Sequence, residues 1–147
     1  MYKIAATEAL VIGVVLAVGA SSVGAEDVTL FSCSTRSGKV IELVDAGKTI
    51  NYSYGKPGQP EIALRVPRAS TSTEQWSGMG SSESYVVEVP NGDTIYSVYS
   101  TLDHGEGNLH AGVIVTVNGK QVADVRCADT AKMVDNLMGV DLPASSD

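Results

Sequence analysis

Few residues in this chain of 147 have chemical potential: two cysteines, two histidines and a single tryptophan stand out. Cys33 and Cys127 could form a disulfide, act as a redox pair or remain free thiols. A redox pair usually places both cysteines within one short segment, whereas these lie 94 residues apart. His104 and His110 flank a polar loop that also holds Asp103, Glu106 and Asn108. A zinc site wants three or four protein ligands at spacings this loop does not match. A calcium loop wants a fuller run of oxygen donors.

Nucleophilic catalysis is no better signalled. A serine hydrolase needs a nucleophile, a base and an orienting acid. Asp103 adjoins His104, but the chain has no Gly-x-Ser-x-Gly elbow. Gly78-Met79-Gly80-Ser81-Ser82 is glycine-rich yet lacks the lysine of a phosphate-binding loop. The expectation is a protein that is not an enzyme, with no metal and no cofactor. Trp76 admits two readings. It is either an anchor on a binding surface, where tryptophan is enriched, or a cap folded over one end of the domain, its indole N–H bonded to a loop carbonyl. Tyr52, Tyr54, Tyr85, Tyr96 and Tyr99 read first as core and rim residues.

The elements that must position these residues begin after an export signal. Lys3 supplies a positive start, and Ala9 to Ala20 is an apolar run about a dozen residues long, the length of a signal-peptide core. A membrane span needs about 20 residues, so an uncleaved anchor is the weaker reading. A lipoprotein would place a cysteine at the end of the run, and Cys33 lies well beyond it. Cleavage after Ala25 leaves Glu26-Asp27 at the new N-terminus. Residues 1–25 are thus expected to be a cleavable signal peptide, residues 26–142 a single all-β domain, and residues 143–147 a flexible tail. The mature protein is expected to be periplasmic or secreted, with no membrane span. An oxidising compartment favours a structural bond between Cys33 and Cys127.

The net charge is −7, and it stays there after processing, because the signal carries one Lys and one Glu. Nucleic-acid phosphates call for a Lys/Arg face, so a nucleic-acid partner is not expected.

Period-two alternation dominates the mature chain, the mark of half-buried strands. It runs through Val28–Cys33, Lys39–Val44, Thr49–Tyr54, Glu61–Val66, Tyr85–Val89, Thr94–Tyr99, Ala111–Val117 and Gln121–Cys127. Pro90-Asn91-Gly92-Asp93 and Asn118-Gly119 are hairpin turns by composition. Between Pro67 and about Ser82 the alternation stops. Eight strands with short turns predict an antiparallel barrel or sandwich. A barrel is favoured, because a disulfide joining the first strand to the last would remove both sheet edges. A short C-terminal helix is expected as well, with Asp129 as N-cap, Met133, Val134, Leu137 and Met138 on one face, and Gly139 at its end.

An exported, acidic, eight-stranded domain with its first and last strands bridged resembles the bacterial periplasmic and membrane-bound inhibitors of C-type lysozyme. Cys33 and Cys127 fit the cysteine frame of those proteins, which insert a loop built on Ser-Gly-x-Tyr into the lysozyme cleft. Ser82-Glu83-Ser84-Tyr85 keeps the serine-to-tyrosine spacing, with Glu83 in place of the glycine. The second inhibitory loop, with its lysine, has no counterpart. The resemblance implies a protein partner, a lysozyme-like hydrolase, contacted by Ser82 and Tyr85 with Trp76 beside them. An immunity protein against a toxin delivered to the periplasm is a close variant. His104 joins these three as a candidate partner-binding residue, provided that its loop converges with that of Trp76. The competing expectation is an envelope protein that binds a small ligand or partner without inhibiting anything.

Overall fold

The computed structural model describes residues 24–146. All but the last two residues of the expected signal peptide lie outside them. Ten strands form two antiparallel sheets of five. β1 (Val28–Ser34), β2 (Val40–Asp45), β3 (Thr49–Lys56) and β4 (Gln59–Pro67) make the first as a meander. β5 (Ser72–Gln75), β6 (Ser82–Asn91), β7 (Thr94–Asp103), β8 (Leu109–Val117) and β9 (Lys120–Arg126) make the second. The two-residue β10 (Val134–Asp135) returns to the first sheet beside β1.

Alternation makes the core. Phe31 and Cys33, Ile41 and Leu43, and Ile50 and Tyr52 turn inward from the first sheet. Val87 and Val89, Tyr96 and Val98, and Ala111 and Val113 answer them from the second. The rings of Tyr52 and Tyr96 stack, 4.8 Å between centroids. The expected disulfide joins Cys33 of β1 to Cys127, the residue after β9, with 5.6 Å between Cα atoms. At Asn118-Gly119 both residues have positive φ, 49° and 76°, the conformation of the I′ hairpin turn expected there.

Three expectations are corrected. The favoured closed barrel is not formed. β10 occupies the edge of β1 that closure would need, and the β9 end of the second sheet meets the end of β1 not through a ladder but through the disulfide, a single bridge between Thr35 and Cys127 and the Ala128 N–H bond to the Ser34 carbonyl. The strand count rises from eight to ten. β5 lies inside the stretch where hydrophobic alternation ceases, because the side chains buried there are threonines: Thr71 and Thr73 are buried. Their hydroxyls donate to the carbonyls of Arg68 and Val86, which makes a polar interior affordable.

The C-terminal helix is also absent. Asp129 does accept a hydrogen bond from Ala131 N–H, as an N-cap should, but only a single 3₁₀ turn, Thr130–Lys132, follows. The chain then extends, because β1 offers it an unpaired edge. Phe31 and Ser32 pair with Asp135 and Val134, and Asn136 N–H donates to the Leu30 carbonyl. Of the four apolar residues that share a helical face on paper, Leu137 alone is fully buried, while Val134 and Met138 are exposed. The Gln75 amide grips this segment from β5, donating to the Leu137 carbonyl (2.9 Å) and accepting from Gly139 N–H (2.7 Å).

Beyond that grip the chain runs along β5. Thr73 N–H donates to the Pro143 carbonyl and Ser145 N–H to the Thr73 carbonyl. Pro143–Ser145 is therefore paired with Thr73. Arg68 secures the same segment from the far side, with Nη1 on both Asp45 oxygens (2.6 and 2.7 Å) and Nη2 on the Asp141 carbonyl (2.6 Å). Burial alone would raise the Asp45 carboxyl. The Arg68 hydrogen bond, the Gly47 N–H and the guanidinium charge outweigh it and hold the group below its ordinary value.

Candidate functional site

Trp76 follows β5 directly and opens an exposed loop that returns to the second sheet at Ser82. Gly78 and Gly80 take φ of 87° and 95°, a region that side-chain-bearing residues rarely enter, and between them Met79 projects, 78% exposed. The half-buried indole closes the loop on itself: Trp76 Nε1–H donates to the Met79 carbonyl at 2.8 Å. That is the hydrogen bond of the capping reading.

A second loop arrives from β7. Asp103 turns it, its carboxylate accepting from Gly105 and Glu106 N–H, and the backbone N–H of His104 donates to the Ser81 carbonyl. The imidazole then meets the indole edge-on, 5.4 Å between centroids.

Glu83 ties the His104 loop to the sheet. β6 pairs with β7 without a bulge from Ser82 to Asn91, so Glu83 and Tyr85 share the inward face of Val87 and Val89, one step beyond the apolar core. Tyr85 O–H donates to Glu83 Oε1 at 2.8 Å, and His104 Nε2 lies 3.1 Å from Oε2. These two hydrogen bonds, Tyr85's first, hold the Glu83 carboxyl below its ordinary value despite some desolvation. The same bond, with burial and the neighbouring negative charge, raises the Tyr85 phenol. Glu83 and Tyr85 also wall a cavity of about 160 Å³ closed by Asp135 and Met138 of the C-terminal segment.

The structure thus brings together three of the four candidate residues, Trp76, Tyr85 and His104. Ser82 is exposed at the first position of β6 and, by the period of the strand, faces away from Tyr85. A Ser-x-x-Tyr spacing cannot present both side chains on one side of an extended strand. Glu83 is the residue that sequence reasoning missed as a site member, reading it only as a departure from glycine. Its signal was the i, i+2 spacing to Tyr85, which aligns the two on one face.

His110 is on β8 opposite Thr101, and the inward turn of Ala111 and Val113 places it on the outer face of the second sheet, away from His104. Nearby on that face Asp124 accepts from Tyr99 O–H (2.9 Å) and Arg126 Nε (3.0 Å); burial, with the Asp124 hydrogen bond, pushes the Tyr99 phenol up to about 12. Among the described residues no three His, Cys, Asp or Glu side chains are grouped to hold a metal ion. None of those residues sets a serine or threonine hydroxyl in hydrogen-bond contact with His104, the geometry a nucleophilic triad requires. No described helix is long and apolar enough to cross a membrane. Compared with family models, curated proteins and solved structures, the chain matches none.

Proposed function

We propose that the chain is an exported inhibitor of a cell-wall hydrolase, of the lysozyme-inhibitor or immunity type, which presents the Trp76–Ser81 loop and His104 to its partner. The observation that carries this reading is the convergence of the two loops: Trp76 and His104 are in contact, and Glu83 anchors His104 to the sheet. A projecting loop held in advance loses little conformational freedom on binding, which is how protein inhibitors gain affinity from modest areas. Met79 and the free surface of Trp76 supply apolar contact, and the net charge of −7 favours encounter with a basic enzyme. The Cys33–Cys127 bond suits an oxidising compartment.

The competing reading, a small-ligand carrier in the envelope, draws less support. The cavity beside the cluster, about 160 Å³, is small against the roughly 300–1,000 Å³ typical of ligand sites, and the larger clefts, of about 350–640 Å³, lie elsewhere and are lined by neither Trp76 nor His104. The test is inhibition of several lysozyme and muramidase types by the protein purified from the envelope or medium of cells expressing the full chain. Trp76→Ala and Met79→Ala should weaken inhibition while leaving the circular dichroism spectrum intact. Absence of inhibition at micromolar protein against every type ends the proposal.

A further inference from the structure

With the two-residue β10 taken as a cover on β1, the two sheets have four long-strand edges, β1, β4, β5 and β9, and this chain treats them unequally. β1 is covered by β10, and β5 by the backbone of Pro143–Ser145. Among the described residues nothing pairs with the outer edges of β4 and β9. A bare edge presents unpaired N–H and C=O groups in a row, a template for another strand. What can add to it depends on the side chains that pairing sets opposite each other.

The two bare edges answer that differently when paired with themselves about a two-fold axis. Antiparallel pairing of β9 about its middle residue, Ala123, sets Lys120 against Arg126, like charges facing each other. Pairing about Val122 would set Lys120 against Asp124, but that carboxylate is already held by Tyr99 O–H and Arg126 Nε on its own sheet. The same pairing of β4 about Ala63 sets Glu61 against Arg65, twice, with Ile62 against Leu64 on the inward side. Glu61 and Arg65 are both exposed on the outer side of the sheet. Glu61 is bound to Lys39 at 2.7 Å, with its own side chain about half exposed, whereas Arg65 has no acidic partner among the described residues. Pro60 and Pro67, lacking N–H groups, bracket the segment and stop the ladder from running further. Because the contact is isologous it closes on itself, as a pairing of β4 with β9 would not.

We infer that β4 is a self-association edge: two copies of this chain join through antiparallel pairing of Glu61–Arg65 about Ala63, merging their first sheets into one continuous sheet. The inference is independent of the proposed inhibitory role. Sedimentation velocity on the processed protein, from micromolar to roughly millimolar concentration, should show a reversible monomer–dimer equilibrium. Arg65→Glu, which places two pairs of like charges across the axis, should weaken the dimer at least about tenfold. The double variant Glu61→Arg/Arg65→Glu restores opposite charges and should recover the dimer. Lys120→Glu on β9 should leave it unchanged. Circular dichroism and a free-thiol assay establish that each variant is folded and oxidised. A protein that stays monomeric throughout, a dimer indifferent to Arg65→Glu or sensitive to Lys120→Glu, or an open series of larger species each overturns the inference.

Discussion

Leu137→Ala is the sharpest test of the idea that the C-terminal segment is part of the core. Leu137 lies beyond the last long strand, in a stretch whose neighbours Asn136 and Met138 are exposed, yet its own side chain is wholly buried between the sheets. Burying a leucine side chain is worth about 1.5–3 kcal/mol in transfer free energy. Truncation to alanine adds the cavity left behind, for a measured span of about 2.7–5.0 kcal/mol in a comparable series. The grip of Gln75 on the backbone at 137 and 139 limits how far the segment can settle into the void, so a cost of about 3 kcal/mol is expected. At a urea dependence of roughly 1.5 kcal/mol per molar, the unfolding midpoint should fall by about 2 M. Equilibrium unfolding followed by far-UV circular dichroism, with Trp76 fluorescence as a second probe, measures it. Met138→Ala, next in sequence but 67% exposed, is the matched control and should change stability by less than about 0.5 kcal/mol. If Leu137→Ala loses less than about 1 kcal/mol, or the two variants behave alike, the segment is an appendage and the reasoning is wrong.

Two further outcomes follow from other anchors. Replacing both Cys33 and Cys127 by alanine should cost about 4.7 kcal/mol by loop-closure entropy over 94 residues, read as a lower urea midpoint with the strand signature retained; a loss under about 1 kcal/mol would count against the bond as a stabiliser. Because the folded Asp45 carboxyl lies below its unfolded value, its stabilisation is complete above the unfolded pKa and fades as pH falls through the folded one. The parent should therefore lose stability between about pH 5 and pH 2 more steeply than Asp45→Asn, and parallel profiles would refute the assignment.

Much of the fold was legible because alternation along a half-buried strand is written in residue type. All eight strands read from hydrophobic period are present, and Asn118-Gly119 turns where only positive φ is tolerated. What escaped was set by tertiary context. β5 buries threonines, which carry no hydrophobic period. Met133, Val134, Leu137 and Met138 fit a helical face, but an open edge on β1 and the Gln75 amide offered the backbone better partners than a short isolated helix could. Barrel or sandwich turned on which segment covers β1, a question of pairing between residues a hundred positions apart. At the candidate site, aromatic and histidine types flagged Trp76, Tyr85 and His104, while the carboxylate joining two of them to each other stayed hidden behind a motif it did not match.

The seal on both sheets comes from the end of the chain, and that sets an order of events. A polypeptide emerging N-terminus first can assemble either meander as its strands appear, but β1 and β5 stay bare until residues 134–145 arrive. Cys127 likewise reaches Cys33 only once β9 has emerged. Deleting residues 134–147 would thus yield not a slightly trimmed protein but one left permanently at the unfinished stage, with two sticky borders open and the stopper at Leu137 gone together with its clasp at Gly139.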